Sequence, residues 1–213
     1  MNKKLLFGTL ALGLIFGSVF GFQAIRKIQS ADAAVAGQTQ MIDAQGKLMQ
    51  ATQSNIDNGL ASVRTFKKSP AVNVTYQNTI WNPYYSADPT GRPESQALNF
   101  VDDEGWLYTV AADTNKIIQV GPAPRTSLDQ PTPTLDFTAR YSKNELQQYA
   151  IKWLKDQGAN VDEATKGLEF SVTTKDEKGY FFRWTDKNST DKMRFLQVGF
   201  TIGGSLLSYT NSL

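Results

Sequence analysis

The chain changes its hydrophobic rhythm several times, and each change marks a segment. After Met1, Asn2, Lys3 and Lys4 comes a run from Leu5 to Phe22 that carries no charge and only Thr9 and Ser18 as polar residues. A short positive start followed by an uncharged run has the order of an export segment, and its length approaches the roughly 20 residues that span a bilayer as a helix. Ala31, Asp32 and Ala33 form a small-x-small site ahead of Ala34, which suits cleavage. Arg26 and Lys27 on the far side of the run suit a retained anchor instead. Residues 1–33 are therefore expected to be a signal peptide or a signal anchor, with residues 5–25 in the membrane if uncleaved. Either way the body is expected to lie outside the cytoplasm, secreted or anchored to the cell membrane.

Residues 34–70 are polar, with sparse apolar positions. Met49, Ile56, Leu60 and Val63 make one narrow helical stripe in a segment with Gly46 and Gly59 as soft spots, which predicts a polar helical stalk or linker that meets the domain or a partner along that stripe. A solvated spacer is the preferred reading and a specific coiled coil the alternative.

At Ala71 the period becomes two. Val72, Val74 and Tyr76 alternate with Asn73 and Thr75, as in a half-buried strand. A loop is expected from Asn78 to Pro93, then strands at 97–101, 106–111 and 116–120, the first two joined by Asp102, Asp103, Glu104 and Gly105. These make a small β-rich unit over 71–121. Pro122, Pro124, Pro131 and Pro133 then mark a Pro-rich connector over 122–135.

The last unit, 136–213, opens on Ser142 and Glu145 at capping-box spacing. Leu146, Tyr149, Ala150, Trp153 and Leu154 follow on one helical face, with Gly158 as a stop, which predicts a helix over 143–157. Strands are expected at 168–174, 180–185, 193–201 and 205–210, joined by short turns that favour an antiparallel meander. The fold class is α+β: a helix packed on a four-stranded antiparallel meander, preceded by the stalk and the export or anchor helix.

Two stretches carry a family resemblance. Trp106 to Val120 holds a strand, the turn Asp113, Thr114, Asn115, Lys116, and an apolar strand. Residues 140–213 run from helix to sheet, with Gly179 to Trp184, Gln197 to Phe200, and Gly203 and Gly204 ahead of Tyr209. The chain here resembles the PepSY-like modules of bacterial secreted and envelope proteins, over 140–213 and more faintly over 97–121, so two small units are conceivable. It departs from that pattern with Asn115 where glycine is usual, which Asn tolerates because it too enters the left-handed region. The resemblance implies inhibition of a secreted peptidase, sensing, or scaffolding at the envelope, and it supplies no catalytic residues.

Composition narrows the chemistry. With four Trp, eight Tyr and twelve Phe, the chain can bury a core of about one domain or two small ones. It has no cysteine and no histidine, so disulfides, thiolate chemistry, Ser-His-Asp relays and imidazole-bound metals are excluded. Beyond residue 33 there are 18 basic and 19 acidic residues, a balance that gives no footprint for nucleic acid. Asp102, Asp103 and Glu104 could serve as acid or base, but are expected to sit in a solvated hairpin turn. Asp186, Asn188, Thr190 and Asp191 offer oxygens without the spacing of a calcium loop, and a plain loop is preferred. No cofactor and no metal site is expected.

The aromatic loop is the candidate contact site. Trp81, Tyr84 and Tyr85, set among prolines, could present amphipathic area to a partner, while the blander reading has them closing a small core. The leading expectation is a non-enzymatic extracytoplasmic module that binds or regulates a secreted or envelope protein. A self-assembling structural envelope protein is the alternative, and a carboxylate-dependent hydrolase the distant one.

Overall fold

The computed structural model describes residues 51–84, 96–159, 167–174, 176–188 and 194–213. The expected export or anchor segment and the first part of the stalk lie outside the described residues.

The first element, α1 (Gln53–Lys67), starts where the Thr52 hydroxyl accepts from the Asn55 amide at 3.2 Å, and ends at Lys68 in the left-handed conformation. Four antiparallel strands follow: β1 (Val74–Trp81), β2 (Gln96–Asp102), β3 (Trp106–Ala111) and β4 (Ile117–Pro122). The same order then repeats with α2 (Lys143–Asp156), β5 (Leu168–Thr174), β6 (Gly179–Asp186), β7 (Phe195–Thr201) and β8 (Leu206–Asn211). The fold is thus α+β, with two helices and one eight-stranded antiparallel sheet.

Each half is a helix followed by a four-stranded meander, and the two are joined through their last strands. Gln119 pairs with Thr210 and Val120 with Tyr209, so the sheet order is β1-β2-β3-β4-β8-β7-β6-β5. Both helices lie on one face, where Val63 from α1 and Leu146, Ala150 and Leu154 from α2 are buried in one core with Phe100, Tyr108, Val110, Phe182, Val198 and Phe200.

Residues 53–67 therefore do not behave as a solvated spacer. They are the helix of the first half. Gly59, which weakens an isolated helix, is the point of closest approach: a Cβ placed there would come 2.4 Å from the Phe100 ring. The narrow stripe is enough because the glycine lets the helix settle directly onto the sheet.

The capping box of α2 is complete, with the Ser142 amide donating to the Glu145 carboxylate at 2.8 Å and the Glu145 amide to the Ser142 hydroxyl at 3.4 Å. Asn115 adopts φ 55°, the left-handed geometry expected at its turn, and Gly204 does the same at φ 89° in the matching turn of the second half. β1 runs on to Trp81, beyond where the expected loop began, because its register shifts between Tyr76 and Asn78. A bulge moves the following residues onto opposite faces and so breaks the period-two pattern that reveals a strand.

Candidate binding cleft between the helix ends

α1 and α2 bring their C-terminal ends together above the junction of the two halves. Phe66, on the last turn of α1, packs its ring against Trp153 of α2 at 5.6 Å, Tyr209 of β8 at 5.6 Å and Tyr108 of β3 at 6.2 Å. Trp153 in turn meets Tyr209 at 5.4 Å and Phe200 at 5.9 Å. Beside this aromatic hub opens a cleft of about 320 Å³. Its floor is Tyr108, Val120 and Leu206, its walls are Phe66, Trp106 and Trp153, and its rim carries Lys67, Lys68, Asp156 and Gln157. Phe66, Trp106, Trp153 and Leu206 are only half-buried, so the apolar lining faces an opening rather than a sealed core.

The floor is held from below by one carboxylate. Asp102 is the last residue of β2, and its side chain is fully buried. Its Oδ1 accepts from the amides of Glu104 at 3.0 Å and Trp106 at 2.8 Å, and its Oδ2 accepts from Lys67 Nζ at 2.8 Å and the Tyr108 hydroxyl at 2.9 Å. Lys67 also bridges to Glu104 at 2.9 Å. Asp103 and Glu104 are exposed as expected, but Asp102 is not in a solvated turn. A buried carboxylate is stable only when its lone pairs are satisfied, and here four donors from the end of α1, the β2–β3 turn and the start of β3 do so.

The protonation states are held as well. Burial disfavours the charge on Lys67, but its hydrogen bonds to Asp102 and Glu104 and their negative charge outweigh that, so its pKa is raised. Burial, and then the neighbouring Asp102 carboxylate, push the Tyr108 phenol far above its ordinary range. Lys67 stays cationic and Tyr108 stays protonated near neutrality, which makes this cluster a clamp that positions the cleft floor rather than an acid–base pair.

The aromatic loop falls elsewhere. Trp81 is half-buried at the end of β1, on the opposite side of the sheet from its neighbour Ile80 by strand alternation. Tyr84 packs edge-on against Phe195 at 6.1 Å and beside a small cluster of Ile80, Ala97, Ala111 and Ile118 on the face without helices. Burial raises its phenol pKa, opposed by a hydrogen bond to the Thr210 side chain and the charge of Arg183. Tyr85 lies outside the described residues. The structure thus separates Trp81 from Tyr84 and brings neither to the cleft.

That helix-free face carries a feature no local pattern announces. Asn78, Asn99, Thr109, Gln119, Thr210, Gln197, Arg183 and Ser171 stand opposite one another across all eight strands, an unbroken polar row. In its first half Thr109 donates to Asn99, and Asn99 to Asn78, each at 2.9 Å. The expected loop around Asp186 is closed by the Asn188 amide, which donates to Asp186 Oδ1 at 2.9 Å, while residues 189–193 lie outside the described residues. Among the described residues no cluster of acidic groups is arranged to hold a metal ion, and no helix is long and apolar enough to cross a membrane.

In the sequence Trp153 falls on the apolar helix face and Trp106, Tyr108, Val120 and Leu206 fall on strands, while Phe66 is not marked by the helical stripe. Phe66 and Trp153 sit on helical faces one step from the buried stripe, and Trp106 opens a strand. Three aromatics at element ends were the available signal.

No family model matches the chain, and no curated protein matches it. Among solved structures it is similar to the Bacillus megaterium YpeB C-terminal domain, at 12% sequence identity and a TM-score of 0.47. That similarity covers 76% of this chain and 64% of the other, so the chain spans less than two thirds of that protein's length.

Proposed function

We propose that this protein is a non-enzymatic, PepSY-like binding or regulatory module, working outside the cytoplasm, whose inter-helix cleft seats an apolar side chain of a secreted or envelope protein. The observation that carries this reading is the open aromatic cleft of about 320 Å³ at the junction of the halves. A pocket with mostly aromatic walls, a few polar rim groups and a rigid floor is the form that anchor-residue recognition takes. The extracytoplasmic placement rests on the lysine start and the uncharged run from Leu5 to Phe22. Against a carboxylate-dependent hydrolase stands the use of both Asp102 oxygens in holding the fold. A contact patch at Trp81, Tyr84 and Tyr85 is secondary in this reading, since Tyr84 already spends its ring on Phe195 and its hydroxyl on Thr210.

Affinity capture from the native envelope tests it, with the full chain, its Trp106→Glu variant and a Gln119→Ala control on the opposite face. The expected outcome is a co-purifying protein that is lost at least about tenfold with Trp106→Glu, as for removal of an interface anchor, and kept with the control. Equal recovery on all three baits would contradict the cleft as the binding site.

A further inference from the structure

The two edges of the sheet are built differently. β1 is an edge strand with a register shift at Tyr76/Asn78, a feature that blunts strand pairing. β5, the other edge, is seven residues long, pairs with β6 without any shift, and contains no proline, no lysine and one charge, Glu169. Most of it is exposed, and Phe170 is 40% exposed although its ring leans on Trp184 at 5.2 Å. A regular, nearly uncharged, apolar-sided edge is the form that soluble proteins ordinarily avoid.

We infer that β5 is a self-pairing edge, and that two copies of this chain join antiparallel through it about a two-fold axis at Ser171. The hydrogen-bond phase allows this register. The Lys187 amide donates to the Gly167 carbonyl, and the Asp186 amide to the Arg194 carbonyl. By the alternation of antiparallel ladders, Glu169, Ser171 and Thr173 then turn their amides and carbonyls toward β6. Those of Leu168, Phe170, Val172 and Thr174 are left at the outer edge, where no strand lies beside β5 among the described residues.

With the axis at Ser171, these four residues meet the same set on the second copy. Phe170 faces Val172, apolar on apolar, on the helix side, and Leu168 faces Thr174, whose hydroxyl is turned back to the Gly179 carbonyl at 2.8 Å. On the other face Ser171 meets its own twin and Glu169 meets Thr173, so no like charges stand opposite. The pairing is isologous, each copy uses its regular β5 edge, and the blunted β1 stops growth at two. The polar row of the helix-free face also ends at Ser171, so the two rows would run on into one.

The chain has no cysteine of its own, which makes the test clean. Ser171→Cys in the full chain, held in detergent micelles and treated with a mild oxidant, is expected to give a disulfide-linked dimer, because residues in a directly opposed non-hydrogen-bonded pair lie close enough to bridge. Thr173→Cys, whose twin stands four residues along the strand at roughly 13 Å, is expected to stay monomeric. Sedimentation is expected to show the parent chain as a dimer and Val172→Pro as a folded monomer, since that amide faces outward and is not needed by β6. Mixing Ser171→Glu with Ser171→Lys is expected to restore pairing that each alone loses. A monomeric parent chain, or equal cross-linking of the two cysteine variants, overturns the inference, as it would if the edge served an extended segment of another protein. Should Val172→Pro unfold, the cysteine pair decides alone.

Discussion

Asp102 shows how much one side chain can carry. It ties the C-terminal end of α1 to the turn entering β3, so its loss is felt in both. Asp102→Asn removes the charge that Lys67 and Tyr108 are oriented toward while leaving Lys67 partly buried, and breaking such a pair is expected to cost about 3 kcal/mol. Asp103→Asn, one residue on but exposed, is expected to be near neutral. Thermal unfolding of the two variants checks the contrast.

The same cluster sets a pH dependence. Lys67 and Tyr108 both hold their protons more tightly in the folded state than unfolded. Their contribution is therefore whole below the ordinary values of 10.5 and 10.0 and is withdrawn as pH rises above them. Stability is expected to decline on the alkaline side, and Tyr108→Phe to flatten that decline relative to its own neutral-pH value. Denaturant midpoints measured across that range read it directly.

At the scale of elements, α1 is the instructive case. Its polar composition and its glycine both argued for a weak, solvated helix, yet the glycine is what seats it. Gly59→Ala adds helix propensity worth about 1 kcal/mol but drives a methyl into the fully buried Phe100 ring, and such overpacking typically costs about 1–3 kcal/mol. The expected outcome is a net loss of stability, read as a lower Tm. A rise would mean that α1 does not approach the sheet as described.

Elements with local signatures were legible in the sequence. The capping box at Ser142 and Glu145, the strands over 106–111 and 168–174, and the left-handed turn at Asn115 all rest on neighbours a few residues apart, and each appears where its pattern placed it. What depends on distant neighbours was hidden. The bulge in β1 reversed the phase midway along the strand. The cleft needed Phe66, Trp106 and Trp153 brought together from three elements, and the polar row takes one residue from each of eight strands. No window of sequence contains either.

On the scale of the whole molecule, the two halves meet through few strand pairs but a dense aromatic hub. β4 and β8 are in register at Gln119↔Thr210 and Val120↔Tyr209, while Phe66 and Trp153 close the seam above them. Because the hub draws on both helices and on β3 and β8, the halves are expected to unfold together, in one transition seen alike by tryptophan fluorescence and circular dichroism. Trp153→Ala removes most of the seam's aromatic contacts, and is expected to cost about 3 kcal/mol and to separate the two signals.

The proposed binding role rests on the cleft at that seam, and hydrogen exchange on the full chain, with and without a protein recovered by affinity capture, is the sharpest check of it. Binding is expected to slow exchange at the converging helix ends, over 64–68 and 153–157, and at Trp106. Protection confined to Tyr84 and the helix-free face, with the helix ends unchanged, would contradict it.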